Sequence, residues 1–70
     1  MKFKITFELK IGSAEVIIDN DSLLGCISEL NSKLEHKYII YTNLVSKKST
    51  LIARDHVSII GIEEVRNDCT

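Results

Sequence analysis

Arg54, Asp55 and His56 stand side by side in LIARDHVSIIGIEE (51–64), between two runs of branched apolar residues. A histidine beside an aspartate could act as a general base with an orienting carboxylate, and the arginine could hold an anion. Spacing argues against that chemistry. Consecutive side chains in a strand or tight turn point in different directions, so Asp55 cannot grip His56 as a catalytic partner would. The same three residue types suit a turn whose charges stay in water. The triplet therefore reads as a tight connection, with Arg54, Asp55 and His56 retained as candidate binding positions.

The remaining reactive side chains do not assemble into a site either. Cys26 with His36 or His56 would make a nucleophile and a base, yet Cys26 lies beside the apolar side of a helical segment, where a thiol behaves as a small inert hydrophobe. Two histidines and two scattered cysteines lack the close ligand pairs of zinc sites, so no metal is expected. Glu63 and Glu64 alternate across a strand and do not converge as acid and base. The three glycines are isolated and form no phosphate-cradling loop. Neither an enzyme nor a cofactor is expected. Lys2, Lys4 and Lys10 line the outer side of the first strand, where lysines discourage edge-to-edge aggregation. They could also grip phosphates with Tyr38 or Tyr41 stacking on a base, and Lys2, Lys4 and Tyr41 are kept as candidate binding residues on that ground.

Bulk properties narrow the choice of partners. Nine Lys and Arg against ten Asp and Glu give a net charge of −1, so there is no global field to draw in nucleic acid or anionic lipid. With 44% hydrophobic and 27% charged residues the chain reads as globular. MKFKITFELK alternates polar with apolar and so does not resemble a secretory leader, and no stretch approaches the roughly 20 apolar residues of a membrane span. A cytoplasmic protein with unpaired Cys26 and Cys69 is expected. Seventy residues make one domain, 1–70, with a frayed tail over 66–70.

The elements that must carry these side chains follow from periodicity. Residues 2–10 alternate, with Phe3, Ile5, Phe7 and Leu9 on one side; Gly12 and Ser13 turn the chain, and Ala14, Val16 and Ile18 resume the alternation, which gives a β-hairpin. DND at 19–21 offers caps for a helix starting near Asp21, with Leu23, Ile27, Leu30 and Leu34 as its packing face. Gly25 inside that helix implies close approach of another group. Three more strands follow in YIIYTNLV, TLIA and VSIIGIEEV. In the last, the parity change between Ile59 and Ile60 calls for a bulge near Gly61. The predicted fold is α+β, β-β-α-β-β-β, a single antiparallel sheet with one helix packed on one face.

One helix cannot cover two faces of a sheet. Ile17, one of Ile39 and Ile40, Tyr41 and one of Ile59 and Ile60 are expected to be left over; Ile17, Ile39, Tyr41 and Ile59 are taken as the interface of a homo-oligomer built through the open sheet face or an edge strand.

The run MKFKITFELKIGSAEVIID, the amphipathic helix and the closing TLIARDHVSIIGIEEV resemble small uncharacterised proteins of Gram-positive bacteria and their phages, which run strand-hairpin-helix and finish on an apolar strand leading into Glu-Glu. The resemblance implies an accessory protein that binds and blocks a host or defence component. The expected function is a non-enzymatic oligomeric binding protein that docks on a macromolecular partner, as a phage-type inhibitor or regulator. A module sequestering a nucleotide-like ligand between subunits, and a weak nucleic-acid binder, are the alternatives.

Overall fold

The computed structural model describes residues 1–65; the tail expected over 66–70, with Cys69, lies outside the described residues. The chain runs β1 (Lys2–Leu9), β2 (Ser13–Asp19), α1 (Leu23–Lys33), β3 (Tyr38–Thr42), β4 (Ser49–Ala53), a 3₁₀ turn (Arg54–His56) and β5 (Val57–Val65). Five antiparallel strands and one helix make an α+β protein. The strands do not form the single sheet expected: β2-β1-β5 is one sheet and the β3-β4 hairpin is another.

The division has a geometric cause. β3 lies beside β2, where the Leu44 amide donates to the Ile17 carbonyl at 2.7 Å. A flat sheet would then place β4 and β5 four strand spacings apart, about 19 Å. Only the three residues of the 3₁₀ turn join them, and four Cα steps span at most about 14 Å. The hairpin must therefore curl back towards β5, which breaks the ladder beside β2 and wraps both sheets round one core.

That core holds Phe3, Ile5 and Phe7 of β1, Val16 and Ile18 of β2, Cys26 and Leu30 of α1, and Ile39, Tyr41 and Ile52 of the hairpin. Alternation accounts for the membership on β1 and β2, because paired residues such as Phe3 and Ile18, or Ile5 and Val16, share a face. β5 joins with Ile62 opposite Ile5 and Ile60 opposite Phe7. The bulge falls between Glu8 and Leu9 of β1, which leaves Ser58 as the extra residue of β5, and not near Gly61 as expected. It returns Val57 to the inner side opposite Leu9 and turns Ile59, which is opposite Glu8, to the outer side.

The helix starts where the acidic turn predicts, with Ser22 as N-cap: its Oγ accepts from the Gly25 amide at 3.0 Å. Its orientation differs from the expected one. Cys26 and Leu30 are buried and Leu34 partly so, while Leu23 and Ile27 are 48% and 38% exposed and Leu24 is 77% exposed. The inward line is thus shifted by one residue, onto Cys26. Lys33 lies across the rim of the core, its Nζ 4.6 Å from the centre of the Tyr41 ring and donating to the Ile40 carbonyl at 2.9 Å.

Candidate interaction surface

Arg54, Asp55 and His56 occupy the 3₁₀ turn between β4 and β5. The Arg54 side chain turns back to the helix, where its Nη1 donates to the Leu34 carbonyl at 2.9 Å, and its own amide donates to the Lys37 carbonyl at 3.0 Å. A cation placed on the last carbonyls of a helix satisfies an orphan acceptor and suits the negative end of the dipole. Asp55 stands 3.9 Å from the Arg54 Nε with its side chain 78% exposed, and the His56 carbonyl accepts from the Lys10 amide at 3.0 Å. Arg54 thereby ties the connection between β4 and β5 to the end of α1 and to the residue preceding β3. The triplet is joined to the fold mainly through backbone groups and one helix cap.

The lysines lie elsewhere. Lys2 sits opposite Asp19 and Val65, at the end of β1 remote from Lys10 and the triplet; eight residue steps of extended chain separate Lys2 from Lys10, about 26 Å. Lys4 Nζ is 3.4 Å from Glu63 Oε1 on the neighbouring strand. The binding set predicted from Lys2, Lys4, Arg54, Asp55 and His56 is therefore not brought to one place. Tyr41 is only 4% exposed, beneath Lys33 and with its ring centre 6.1 Å from that of Phe7, so it offers no stacking face.

Tyr41 and Ile39 are also corrections to the expected interface. Both face the core, Ile39 fully buried and directly paired with Ile52. Ile17 and Ile59 do lie on the outer side of the three-stranded sheet. They do not meet, since Ile17 is level with Lys4 and Glu63 whereas Ile59 is level with Glu8 and Ser13. Around them stand Lys2, Lys4, Thr6, Glu8, Glu15, Asp19 and Glu63, so this side is largely charged.

Besides Met1, Ile11, Val45 and Ile59, the exposed large apolar residues of the described chain lie at two other places. On the outer side of the hairpin, Ile40 and Leu51 are direct cross-strand partners, 55% and 62% exposed, with Tyr38 two residues along at 48%. On the first turns of α1, Leu23, Leu24 and Ile27 form a second group. Both were missed for one reason. YIIY and TLIA are apolar on either parity, and LLGCI on more than one helical face, so the pattern alone could not say which residues turn inward.

Two buried groups have perturbed ionisation. Burial, and then the charge of Glu29, push the Cys26 thiol above its ordinary range. Burial and the same carboxylate push the Tyr41 hydroxyl well up, and that hydroxyl has no hydrogen-bond partner among the described residues. A thiol held protonated is a poor nucleophile. Among the described residues no enclosed pocket forms and no three His, Cys, Asp or Glu side chains gather as a metal site would need. No helix of the described residues is long and apolar enough to cross a membrane.

These features define a small α+β protein with exposed apolar residues on its hairpin and helix and no enclosed pocket among the described residues. No family model, no curated protein and no solved structure matches the chain.

Proposed function

We propose that the chain is a non-enzymatic, self-associating binding protein of the cytoplasm that docks on a macromolecular partner, in the manner of a phage-type inhibitor or regulator. The observation that carries this reading is the outer side of the β3-β4 hairpin, where Tyr38, Ile40 and Leu51 present adjoining apolar side chains that the described residues leave about half exposed. An aromatic beside two aliphatic residues is the composition of an interface centre. No enclosed pocket forms among the described residues, and a small ligand needs a concave site, so exposed apolar side chains suit a macromolecular surface better.

The test is a binding measurement. A partner captured from extracts of the source cell is purified and titrated against the wild type, the Ile40→Thr/Leu51→Thr variant and a Glu15→Gln control. Threonine keeps the β-branched character of a strand while removing most of the apolar surface. The expected result is at least a tenfold loss for the double variant, about 1.4 kcal/mol, with the control unchanged. Equal affinity in all three proteins overturns the reading.

A nucleotide-like ligand held between subunits is the second reading. It is favoured by Tyr38, whose exposed ring has Lys37 Nζ 5.8 Å above its centre, with Arg54 following closely on the same end of the molecule. A rise in melting temperature on adding nucleotides well above Kd would support it. Weak binding of nucleic acid is the third reading, and it requires affinity to fall steeply with salt.

A further inference from the structure

We infer that the free edge of β5 is a docking strand for the β5 of a second copy, antiparallel and centred on Gly61. This rests on the reading of the chain as a self-associating protein and names the surface that does it.

Three observations converge on that edge. First, β5 is the outermost strand of its sheet, paired only with β1, so one whole side of its backbone has no ladder partner among the described residues. An unpaired edge is normally blunted by charge, above all lysine, by proline, by a bulge or by brevity. VSIIGIEEV has nine residues, no lysine and no proline; its single bulge lies at its beginning and its two charges, Glu63 and Glu64, at its end, so the stretch 59–62 between them is left unblunted. Second, the apolar inner layer stops short at this edge. Phe3, Ile5 and Phe7 on β1 are at most 1% exposed, while Ile60 and Ile62, directly opposite Phe7 and Ile5, are only partly buried, since no described strand pairs with β5 on its far side. Third, Gly61 has no packing reason among the described residues. A Cβ added there would meet nothing within 4 Å, and the residue sits in mid-strand, where glycine costs about 0.5–1 kcal/mol. A glycine in a strand often marks the approach of another backbone.

The occupant that fits is the strand itself. With Gly61 facing Gly61 of the second copy, Ile60 lies opposite Ile62 of that copy on the inner side, and the apolar layer continues across the join. On the outer side Ile59, which is 61% exposed, lies opposite Glu63 of the second copy and can pack along its methylenes. Antiparallel pairing also keeps the Glu63 and Glu64 pairs of the two copies at opposite ends, where parallel pairing would set like charges side by side. Gly61 is the one position that meets its own image, and there no side chains collide. The bulge at Ser58 ends the pairing. The result is a continuous six-stranded sheet across a twofold axis, an isologous contact.

Cross-linking tests the register. In a Cys69→Ser background, Ile59→Cys and Glu63→Cys are made singly; both positions are exposed, so the fold should tolerate them. The two variants are mixed reduced, allowed to exchange, and oxidised. Expected is a disulfide-linked dimer in the mixture and little in either variant alone, because 59 faces 63 and neither faces itself. As a second variant, Gly61→Lys enters open space in the subunit but sets two ammonium groups face to face across the axis. Sedimentation at micromolar concentration should show a dimer for the wild type and a folded monomer for Gly61→Lys. A wild-type monomer overturns the inference, as does a dimer whose cross-links form equally in the single variants. Loss of partner binding in Ile40→Thr/Leu51→Thr with the cross-link retained would separate the two surfaces, so either proposal can fail without the other.

Discussion

Tyr41 carries the least comfortable atom in the structure, a buried hydroxyl with no hydrogen-bond partner among the described residues. Such a group costs about 1–3 kcal/mol when left unsatisfied. Tyr41→Phe keeps the ring against Phe7 and beneath Lys33, so it should raise stability by roughly 1 kcal/mol, read as a higher melting temperature. The sign of the pH effect follows from the raised ionisation point. Between the ordinary tyrosine value of 10.0 and the higher folded value, the unfolded chain loses the proton and the folded chain keeps it. The folded state then binds more protons, so stability falls as pH rises above 10.0. Denaturant melts at successive alkaline pH values should show this fall in the wild type and a shallower one in Tyr41→Phe. Equal slopes would mean that other groups govern alkaline unfolding. Arg54 and His56 separate in the same kind of assay. Arg54→Ala removes the bond to Leu34 and should destabilise by about 1 kcal/mol, whereas His56→Ala, which leaves its backbone bond to Lys10 in place, should stay within about 0.5 kcal/mol of wild type. A triplet acting as a reactive site would give the opposite ranking in function.

Within α1, local propensity and the cap compete at Gly25. A Cβ on Gly25 would collide with the Asn20 side chain, whose Oδ1 accepts from the Asp21 amide at 2.7 Å and lies 3.5 Å from the Ser22 amide. Alanine gains about 1 kcal/mol of helix propensity, but displacing Asn20 loosens the turn that presents the Ser22 cap. Gly25→Ala should therefore bring no gain in the wild type and a gain approaching 1 kcal/mol once Asn20→Ala has cleared the space. Additivity of the two changes in a double-mutant cycle would show that the collision is relieved at no cost. The sequence announced this approach without naming the partner, since a glycine inside a helix is legible and the group it admits is not. The same boundary runs through the whole chain. Strict alternation in β1 and β2 made their inner residues readable. The hairpin, apolar on both parities, left Ile39 against Ile40 undecided until the curl of the sheet chose the side. That curl is set by the three-residue link from β4 to β5 together with the position of β3 beside β2. The second of these is a long-range fact that no local pattern contains. For the candidate site, the turn at Arg54–His56 was readable from residue type. Its anchoring to the helix terminus depends on tertiary approach and was not.

At the scale of the whole molecule, a 70-residue chain buries a modest share of its surface, and its stability is correspondingly sensitive to anything that covers more. Two uncovered features lie on different elements, the backbone edge of β5 and the apolar patch of the β3-β4 hairpin. If copies join through β5, folding and association are linked by mass action, and the melting temperature must rise with protein concentration. Each tenfold increase in concentration well above the dissociation constant adds roughly 1.4 kcal/mol per mole of dimer to the stability of the associated state. Thermal melts over a hundredfold range of concentration should thus show a steady upward shift for the wild type. Gly61→Lys should melt at one temperature throughout, since its subunits no longer meet. Ile40→Thr/Leu51→Thr should behave as the wild type, because the hairpin surface is kept for a different partner. A concentration-independent wild type would leave the β5 edge bare at equilibrium. A shift abolished by the hairpin variant would mean that the copies meet through Ile40 and Leu51, so that self-association and partner docking compete for one surface.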